Sequence, residues 1–160
     1  MSDQSAAIDV AHPPELLIKT LNPILGRILR TPLGRPLGEF MLVRFTGRKS
    51  GRSFAVPVSA HELDGDLYAV LEAQWKFNFR DGADAVIHHS GRRRELRGRL
   101  IADRAAVVDI VNRLAVGYGP KKAQRTMGMG FRDGQLPTVA DWEDAVARLN
   151  IAAIKFTPRP

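Results

Sequence analysis

The chain contains no cysteine, which excludes disulfide bonds, thiolate metal sites and a cysteine nucleophile. No apolar run approaches the roughly 20 residues of a membrane-spanning helix, and the first residues have neither the basic start nor the apolar core of a signal peptide. HExxH pairs, EF-hand loops, Walker loops and GxSxG elbows are also missing. These absences favour a cytoplasmic protein without a metal site. If it is an enzyme, its chemistry is expected to come from a bound cofactor.

Positive charge is concentrated in one part of the chain. The sequence of 160 residues carries a net charge of +7. Eight basic residues and a single acidic one, Glu39, lie between Leu16 and Arg52, so this segment accounts for the whole excess. Aromatic residues do not alternate with basic residues as they do in many nucleic-acid-binding surfaces. One small anionic ligand near the first third of the fold therefore explains the charge better than a nucleic acid does.

The most informative motif is a basic turn between two predicted strands. Gly47 and Gly51 enclose Arg48, Lys49 and Ser50. Glycine lets the backbone bend sharply and bring its N–H groups close to an anion. The enclosed residues add a guanidinium fork, a point charge and a hydroxyl, which suits a phosphate or a polycarboxylate. The alternative interpretation is an ordinary solvated hairpin.

A second cluster follows about 25 residues later along the chain. Trp75 offers a ring that can form the wall of a pocket, and Asn78 lies three residues on, on the same face of a helical turn. The alternative is a loop closed by a buried tryptophan, in which Asn78 caps the backbone. Tyr118 opens a glycine- and methionine-containing stretch that is either a cover over a substrate pocket or an ordinary connection.

Strand patterns dominate the middle of the chain and helical patterns flank them. Residues 1–13 are predicted to be disordered and residues 14–160 to form a single domain. An amphipathic helix is expected over Leu16–Arg30, and two further helices are expected after Asp103 and Thr138. Six strands are predicted, over residues 40–45, 53–60, 67–71, 83–88, 94–101 and 151–157. The pattern indicates an α+β fold built on an antiparallel barrel.

The order of these motifs resembles the deazaflavin-dependent nitroreductase family. That family has a split β-barrel related to the FMN-binding fold of pyridoxamine-phosphate oxidases. The resemblance covers about residues 16–100 and depends mainly on three pieces: the Thr-Gly-Arg-Lys-Ser-Gly run at 46–51, the Val-Pro-Val run at 56–58 and the Trp-x-x-Asn pair at 75–78.

The resemblance implies binding of the deazaflavin coenzyme F-420, with FMN as the alternative cofactor. The reaction would be hydride transfer to a quinone, a nitro compound or an activated double bond. The implied cofactor-binding residues are Arg48, Lys49, Ser50 and Gly51 for the phosphate and acidic tail, Val56, Pro57 and Val58 for the ring, and Trp75 and Asn78 for the pocket border. Tyr118 is the candidate substrate-pocket residue, and no other catalytic residue is implied.

Two further hypotheses remain open. The loop Glu72–Gln74 is shorter than in better-known family members and carries a charge, which favours a non-catalytic barrel that binds a flavin, a deazaflavin or a fatty-acid-like anion. The basic, leucine-rich segment Leu16–Arg30 is compatible with peripheral contact to an anionic membrane, although simple packing on the barrel is preferred. Split barrels often dimerise, and fold analogy extends the expectation of a homodimer to this chain.

Overall fold

The computed structural model describes residues 7–10, 23–33 and 38–160. They fall into two compact units. The helical unit contains the described residues before His12 together with Val70–Glu72 and Ile101–Ala153. The sheet unit contains the described parts of Pro13–Ala69 together with Ala73–Leu100 and Ile154–Pro160. The prediction of one domain over residues 14–160 stays a prediction, because compactness does not by itself show independent folding.

Seven strands form one antiparallel sheet, which lies mainly in the sheet unit. The spatial order is β3-β2-β6-β7-β9-β5-β4. The strands are β2 (Phe40–Thr46), β3 (Ser53–Ser59), β4 (His61–Leu63), β5 (Asp66–Leu71), β6 (Ala83–His89), β7 (Arg92–Ile101) and β9 (Ala152–Pro158). A 3₁₀ helix, Gln74–Phe79, connects β5 to β6.

The topology itself shows that the sheet curls. Strands β3 and β4 stand at the two opposite edges of the sheet, yet only Ala60 separates them along the chain. A continuous backbone reaches both edges within one residue only if those edges come close together. The predicted fold class, an α+β split barrel, is therefore confirmed. The sheet has seven strands rather than six, because the predicted strand over residues 53–60 is followed directly by the short β4.

The two faces of β2 are both buried, for different reasons. Met41, Val43 and Phe45 point to one face and are at most 6% exposed. Leu42 points to the other face and is also buried, beneath helix α1 (residues 23–29). Gly26 of this helix lies close to the Leu42 side chain, so that a Cβ atom at this position would be in ordinary van der Waals contact with it, at 3.5 Å. Of the predicted helix Leu16–Arg30, the part before residue 23 lies outside the described residues.

The helical unit contains three helices and a small two-stranded sheet. Helix α2 (Arg104–Tyr118) begins at Asp103, and α4 (Val139–Leu149) begins at Thr138 with a complete capping box. The glycine-rich stretch before α4 contains α3 (Pro120–Met127) and strand β8 (Met129–Phe131). Strand β8 pairs with β1 (Ile8–Val10), so these three residues of the predicted disordered segment are instead a strand.

Candidate functional site

The basic turn closes on itself through backbone hydrogen bonds. The Gly47 N–H donates to the Arg52 carbonyl at 2.7 Å, and the Gly51 N–H donates to the Gly47 carbonyl at 3.0 Å. The backbone of Gly51 has a φ of 69°, a left-handed conformation that glycine adopts without strain. The Ser50 hydroxyl accepts a hydrogen bond from the Arg52 N–H at 3.2 Å. The turn is therefore a preformed structure that presents Arg48 and Lys49 outward.

Arg48 and Asn78, which belong to the two separate motifs of the sequence, join the turn to the 3₁₀ helix. The backbone N–H of Arg48 donates to Asn78 Oδ1 at 2.7 Å. The Asn78 amide in turn donates to the Trp75 carbonyl at 2.8 Å. The Arg48 guanidinium also donates to Asp81 Oδ2, two residues beyond the end of the 3₁₀ helix, at 2.6 Å. Backbone and side chain of one residue thus hold two distant segments together.

A cavity of about 550 Å³ lies between the two joined segments. Its volume falls within the range of about 300–1,000 Å³ that is typical of small-molecule sites. Among the described residues its lining contains no carboxylate and no histidine, and it consists of Gly47, Arg48, Lys49, Ser50, Phe54, Gln74, Phe77, Asn78 and Arg80. We call it the turn cavity. Its charge is wholly positive, and Asp81, which pairs with Arg48, stands outside the lining.

Two cations of the turn cavity have no carboxylate partner among the described residues. They are Lys49 and Arg80, and both side chains are exposed. Arg80 instead lies over the ring of Phe77, with its guanidinium carbon 5.0 Å from the ring centre. Such a cation–π contact orients the guanidinium without neutralising it. Both cations are therefore available to an anion.

An aromatic cluster packs beside the turn cavity. Phe45 stacks on Phe54 with ring centres 5.4 Å apart and on Trp75 with ring centres 5.5 Å apart. Phe79 meets both Phe45 and Trp75 edge to face. Phe45 is buried, whereas Phe54 is 41% exposed and forms part of the cavity wall. The cluster fixes the strand that carries the turn against the 3₁₀ helix that carries Asn78.

Some predicted site residues do not line the turn cavity. Trp75 belongs to the aromatic cluster, Gly51 closes the turn, and Val56 and Pro57 line a different cavity. Val58 is half-buried on β3 and lines neither of these two cavities. Strand β3 is an edge strand, however, and alternate residues turn their backbone N–H and C=O groups away from β2.

The proposed substrate-pocket residue, Tyr118, lies in the helical unit. It ends helix α2, and the ammonium of Lys122 lies 5.3 Å from the centre of its ring. Its assignment to a substrate pocket stays a prediction.

Two histidines of the sheet unit are buried and uncharged at neutral pH. Burial lowers the pKa of His61 to about 4. Burial also lowers the pKa of His88, and the positive charges of Arg44, Arg30 and Arg93 add to this effect. Within residues 7–10, 23–33 and 38–160, no group of three or more histidine, aspartate or glutamate side chains is arranged to hold a metal ion. No helix in the same ranges is long and apolar enough to cross a membrane.

Several residues of the site were not assigned a role from the sequence. Phe54, Gln74, Phe77 and Arg80 line the turn cavity, and Asp81 pairs with Arg48. Phe77 and Arg80 lie close to Trp75 and Asn78 along the chain, so the sequence did indicate that this short segment borders a pocket. Spacing alone does not show which of its side chains face the turn, because a 3₁₀ helix and an α-helix orient them differently.

No protein-family model and no curated protein matches the sequence. Several solved structures are similar in fold at low identity. A domain-swapped dimer aligns at 15% identity over 91% of this chain and 100% of its own, with a TM-score of 0.44. An F-420 reductase aligns at 14% identity over 84% and 92%, with a TM-score of 0.41.

A third solved structure is a pyridoxamine 5'-phosphate oxidase-related, FMN-binding protein from Nostoc punctiforme. It aligns at 12% identity over 92% of this chain and 82% of its own, with a TM-score of 0.44. At these scores the similarities do not identify a ligand for this chain.

Proposed function

We propose that this protein is an oxidoreductase that binds an anionic cofactor of the flavin or deazaflavin type. The preferred cofactor is coenzyme F-420, and FMN is the alternative. The acceptor of the hydride would be a quinone, a nitro compound or an activated double bond. The observation that carries this proposal is the turn cavity, in which Lys49, Ser50 and Arg80 surround a space without any carboxylate in its lining.

The residues of the turn cavity fit the anionic part of such a cofactor. Lys49 and Arg80 provide two positive charges that no described carboxylate neutralises, and a phosphate accepts hydrogen bonds from both groups. The hydroxyl of Ser50 and the backbone of the glycine-bounded turn add uncharged donors. Phe54, which is 41% exposed, offers an apolar ring to a planar group. The unpaired edge of β3 around Val56, Pro57 and Val58 would serve the ring, through its backbone groups.

In this mechanism the chain's own residues bind and orient, and the bound cofactor supplies the hydride chemistry. Lys49 and Arg80 would hold the phosphate or acidic tail, and this anchoring would fix the distance of the ring from its substrate. The bond between the Arg48 N–H and Asn78 keeps the two walls of the cavity together before the cofactor arrives. Such preorganisation reduces the entropy that is lost on binding.

The second candidate function is a binding protein without catalysis. It is favoured by the composition of the cavity lining, which contains no histidine, aspartate or glutamate that would transfer a proton. Hydride transfer to a quinone requires a proton as well as a hydride, and solvent would have to supply it here. The homodimer and the membrane contact stay predictions.

The decisive experiment is a titration of the purified protein with F-420 and, separately, with FMN, followed by fluorescence. Lys49→Ala and Arg80→Ala are each expected to weaken binding about 10- to 100-fold, as expected for a lost charge-assisted hydrogen bond of about 1.5–3 kcal/mol. Lys121→Ala is the matched control, because Lys121 is an exposed lysine on α3 of the helical unit.

The outcomes separate the two candidate functions. Cofactor binding with reduction of menadione or a nitroaromatic supports the oxidoreductase. Tight binding without turnover of either acceptor supports the binding protein. Failure to bind both cofactors, or equal binding by the wild-type protein and Lys49→Ala, contradicts the assignment of the turn cavity.

A further inference from the structure

A second cavity lies beside helix α1, away from the basic turn. It has a volume of about 480 Å³ and is lined by Pro23, Gly26, Arg27, Arg30, Leu42, Ala55, Val56 and Pro57. All these residues belong to the sheet unit. We call it the arginine-rimmed cavity, because two arginines of the helix border a lining whose other described residues are apolar.

The strand register separates this cavity from the turn cavity. Ala55 opposes Arg44, and Pro57 opposes Leu42, so these four side chains share one face of the sheet. Phe54 opposes Phe45 and points to the other face, where it lines the turn cavity. The two cavities therefore open on opposite faces of β3, and one ligand bound in the first does not fill the second.

Positive charge surrounds the arginine-rimmed cavity beyond its immediate lining. Arg44 lies next to Leu42 on the same face, and its guanidinium approaches His88 Nε2 at 3.5 Å. His88 opposes Leu42 on β2 and Arg93 on β7, so the row Pro57, Leu42, His88, Arg93 crosses four strands. The positive charges of Arg44, Arg30 and Arg93 all reach His88. Arg30, Arg44 and Arg93 thus lie around one edge of the apolar lining.

Three of these cations have no acidic partner within the described ranges. In the part of the chain that the structure describes, no carboxylate forms an ion pair with Arg27, Arg30 or Arg44. Arg93 does have a partner, Glu95, at 3.5 Å, and both of these side chains are about half exposed. His88 is buried and neutral, so it neither adds to nor offsets the charge. The uncompensated cations repel one another, and an anion bound among them would relieve this repulsion.

We propose that the arginine-rimmed cavity binds a single amphiphilic anion, of the class of medium- or long-chain carboxylates. The carboxylate would lie against Arg27 and Arg30, whose planar guanidinium groups match its two oxygens. The apolar chain would cover Leu42, Ala55 and Pro57. A concave site of this volume suits one molecule and not a flat membrane surface. The proposal rests on the arginine rim, which the proposed cofactor site does not use, although Val56 and Pro57 of the lining adjoin the edge of β3 proposed for the cofactor ring.

The test is isothermal titration of the whole protein with decanoate below its micelle-forming concentration. Decanol and inorganic phosphate serve as probes of the apolar part and the charged part alone. We expect decanoate to bind with one molecule per chain, and each partial probe to bind at least tenfold more weakly. Vesicles containing phosphatidylglycerol form a fourth arm, which distinguishes a free amphiphile from a lipid surface.

Two variants locate the site, and both change exposed side chains, so folding is expected to be retained. Arg30→Ala removes a rim cation, and Ala55→Glu places a carboxylate on the floor, opposite Arg44. Each is expected to weaken decanoate binding at least tenfold. Lys49→Ala, in the turn cavity, and Arg99→Ala, on the exposed face of β7, are expected to leave it unchanged.

Several results would overturn the proposal. Equal affinity for decanoate and phosphate would indicate a simple anion site, and equal affinity for decanol would indicate an apolar site. Binding to vesicles without binding of free decanoate would indicate a membrane surface. Loss of decanoate binding in Lys49→Ala but not in Arg30→Ala would assign the amphiphile to the turn cavity.

Discussion

Two basic segments of the sheet unit differ in what surrounds their charges. In the arginine-rich strand β7, Arg97 lies 3.1 Å from Asp84, and Arg93 lies 3.5 Å from Glu95. Arg159 also approaches both of these carboxylates, at 3.7 Å each. In the basic turn, Arg48 is paired with Asp81, whereas Lys49 beside it has no described carboxylate partner.

The difference teaches that a run of basic residues predicts a ligand only when the fold leaves its charges unbalanced beside a cavity. Arg93 and Arg97 of β7 lie on an exposed face beside Glu95 and Asp84, so these two charges are balanced locally without a ligand. The charges of the turn border a cavity of about 550 Å³ whose lining contains no acid. The ion pairs of Arg93 and Arg97 are typical of a solvated strand face.

The largest expected effect comes from removing the buried ring at the centre of the aromatic cluster. Phe45→Ala deletes a buried ring that contacts Phe54, Trp75 and Phe79. A large-to-small substitution of this kind costs about 3–5 kcal/mol of unfolding free energy. Urea denaturation measures it. A cost below about 1 kcal/mol would show that the aromatic cluster does not support the cavity.

A buried ionisable group provides the next largest effect and contrasts with the exposed charges of both segments. His61 is 1% exposed, and its pKa is lowered to about 4 in the folded state. Because the unfolded chain binds the proton more readily, stability is fully present above pH 6.5 and falls as the pH decreases toward 4. The expected loss from this group is about 3 kcal/mol, since one pKa unit corresponds to about 1.4 kcal/mol.

Chemical denaturation at several pH values tests the contribution of His61. His61→Gln should show a shallower loss of stability between pH 6.5 and pH 4 than the wild-type protein. Parallel curves for the two proteins would contradict the assignment. His89→Gln is the matched control, because His89 lies in the same sheet but is only half-buried.

The hydrogen bonds between the turn and the 3₁₀ helix are expected to contribute a smaller amount. Asn78→Ala removes the acceptor of the Arg48 N–H and the donor to the Trp75 carbonyl, which costs about 1–2 kcal/mol. Asp81→Asn weakens only the exposed ion pair and should cost less than about 1 kcal/mol. Unfolding curves of the two variants compare them directly. A larger cost for Asp81→Asn would mean that charge, and not the Asn78 bridge, holds the turn.

The smallest effect is expected in β7. Arg97→Ala removes an ion pair whose side chains are 39% and 56% exposed, so its cost should be about 0.2–1 kcal/mol. Cofactor titration of this variant should match that of the wild-type protein. A clear loss of cofactor binding in Arg97→Ala would contradict the claim that the basic turn binds the cofactor and β7 does not.

Much of the fold could be predicted because local sequence patterns specify its strands and helices. Alternating apolar residues identified most of the strands, and the capping residues Asp103 and Thr138 marked the starts of two helices. Short elements were missed: three-residue strands such as β1 and β8 have too few residues to show a period. Helix α3 was not predicted, because its start at Pro120 lies within the glycine-containing stretch that Tyr118 opens.

The candidate site was predicted in its parts but not in its assembly. The residue types of the basic turn and of the Trp75–Asn78 pair were sufficient to suggest an anion and a pocket border. Their direct contact, from the Arg48 N–H to the Asn78 side chain, joins residues thirty positions apart. The contribution of Arg80 depends on its position over the Phe77 ring, which a sequence pattern does not specify.

The sequence by itself determined the local chemistry: the absence of thiols, the excess of positive charge before Arg52, the strand periods and the glycine-bounded turn. These follow from neighbouring residues and from the short-range rules of the backbone. Only the tertiary structure decided which cations stay without a carboxylate partner, which faces of β3 carry a cavity, and how β3 and β4 reach opposite edges of one sheet. Those features depend on contacts between distant residues, which the packing of the whole sheet creates.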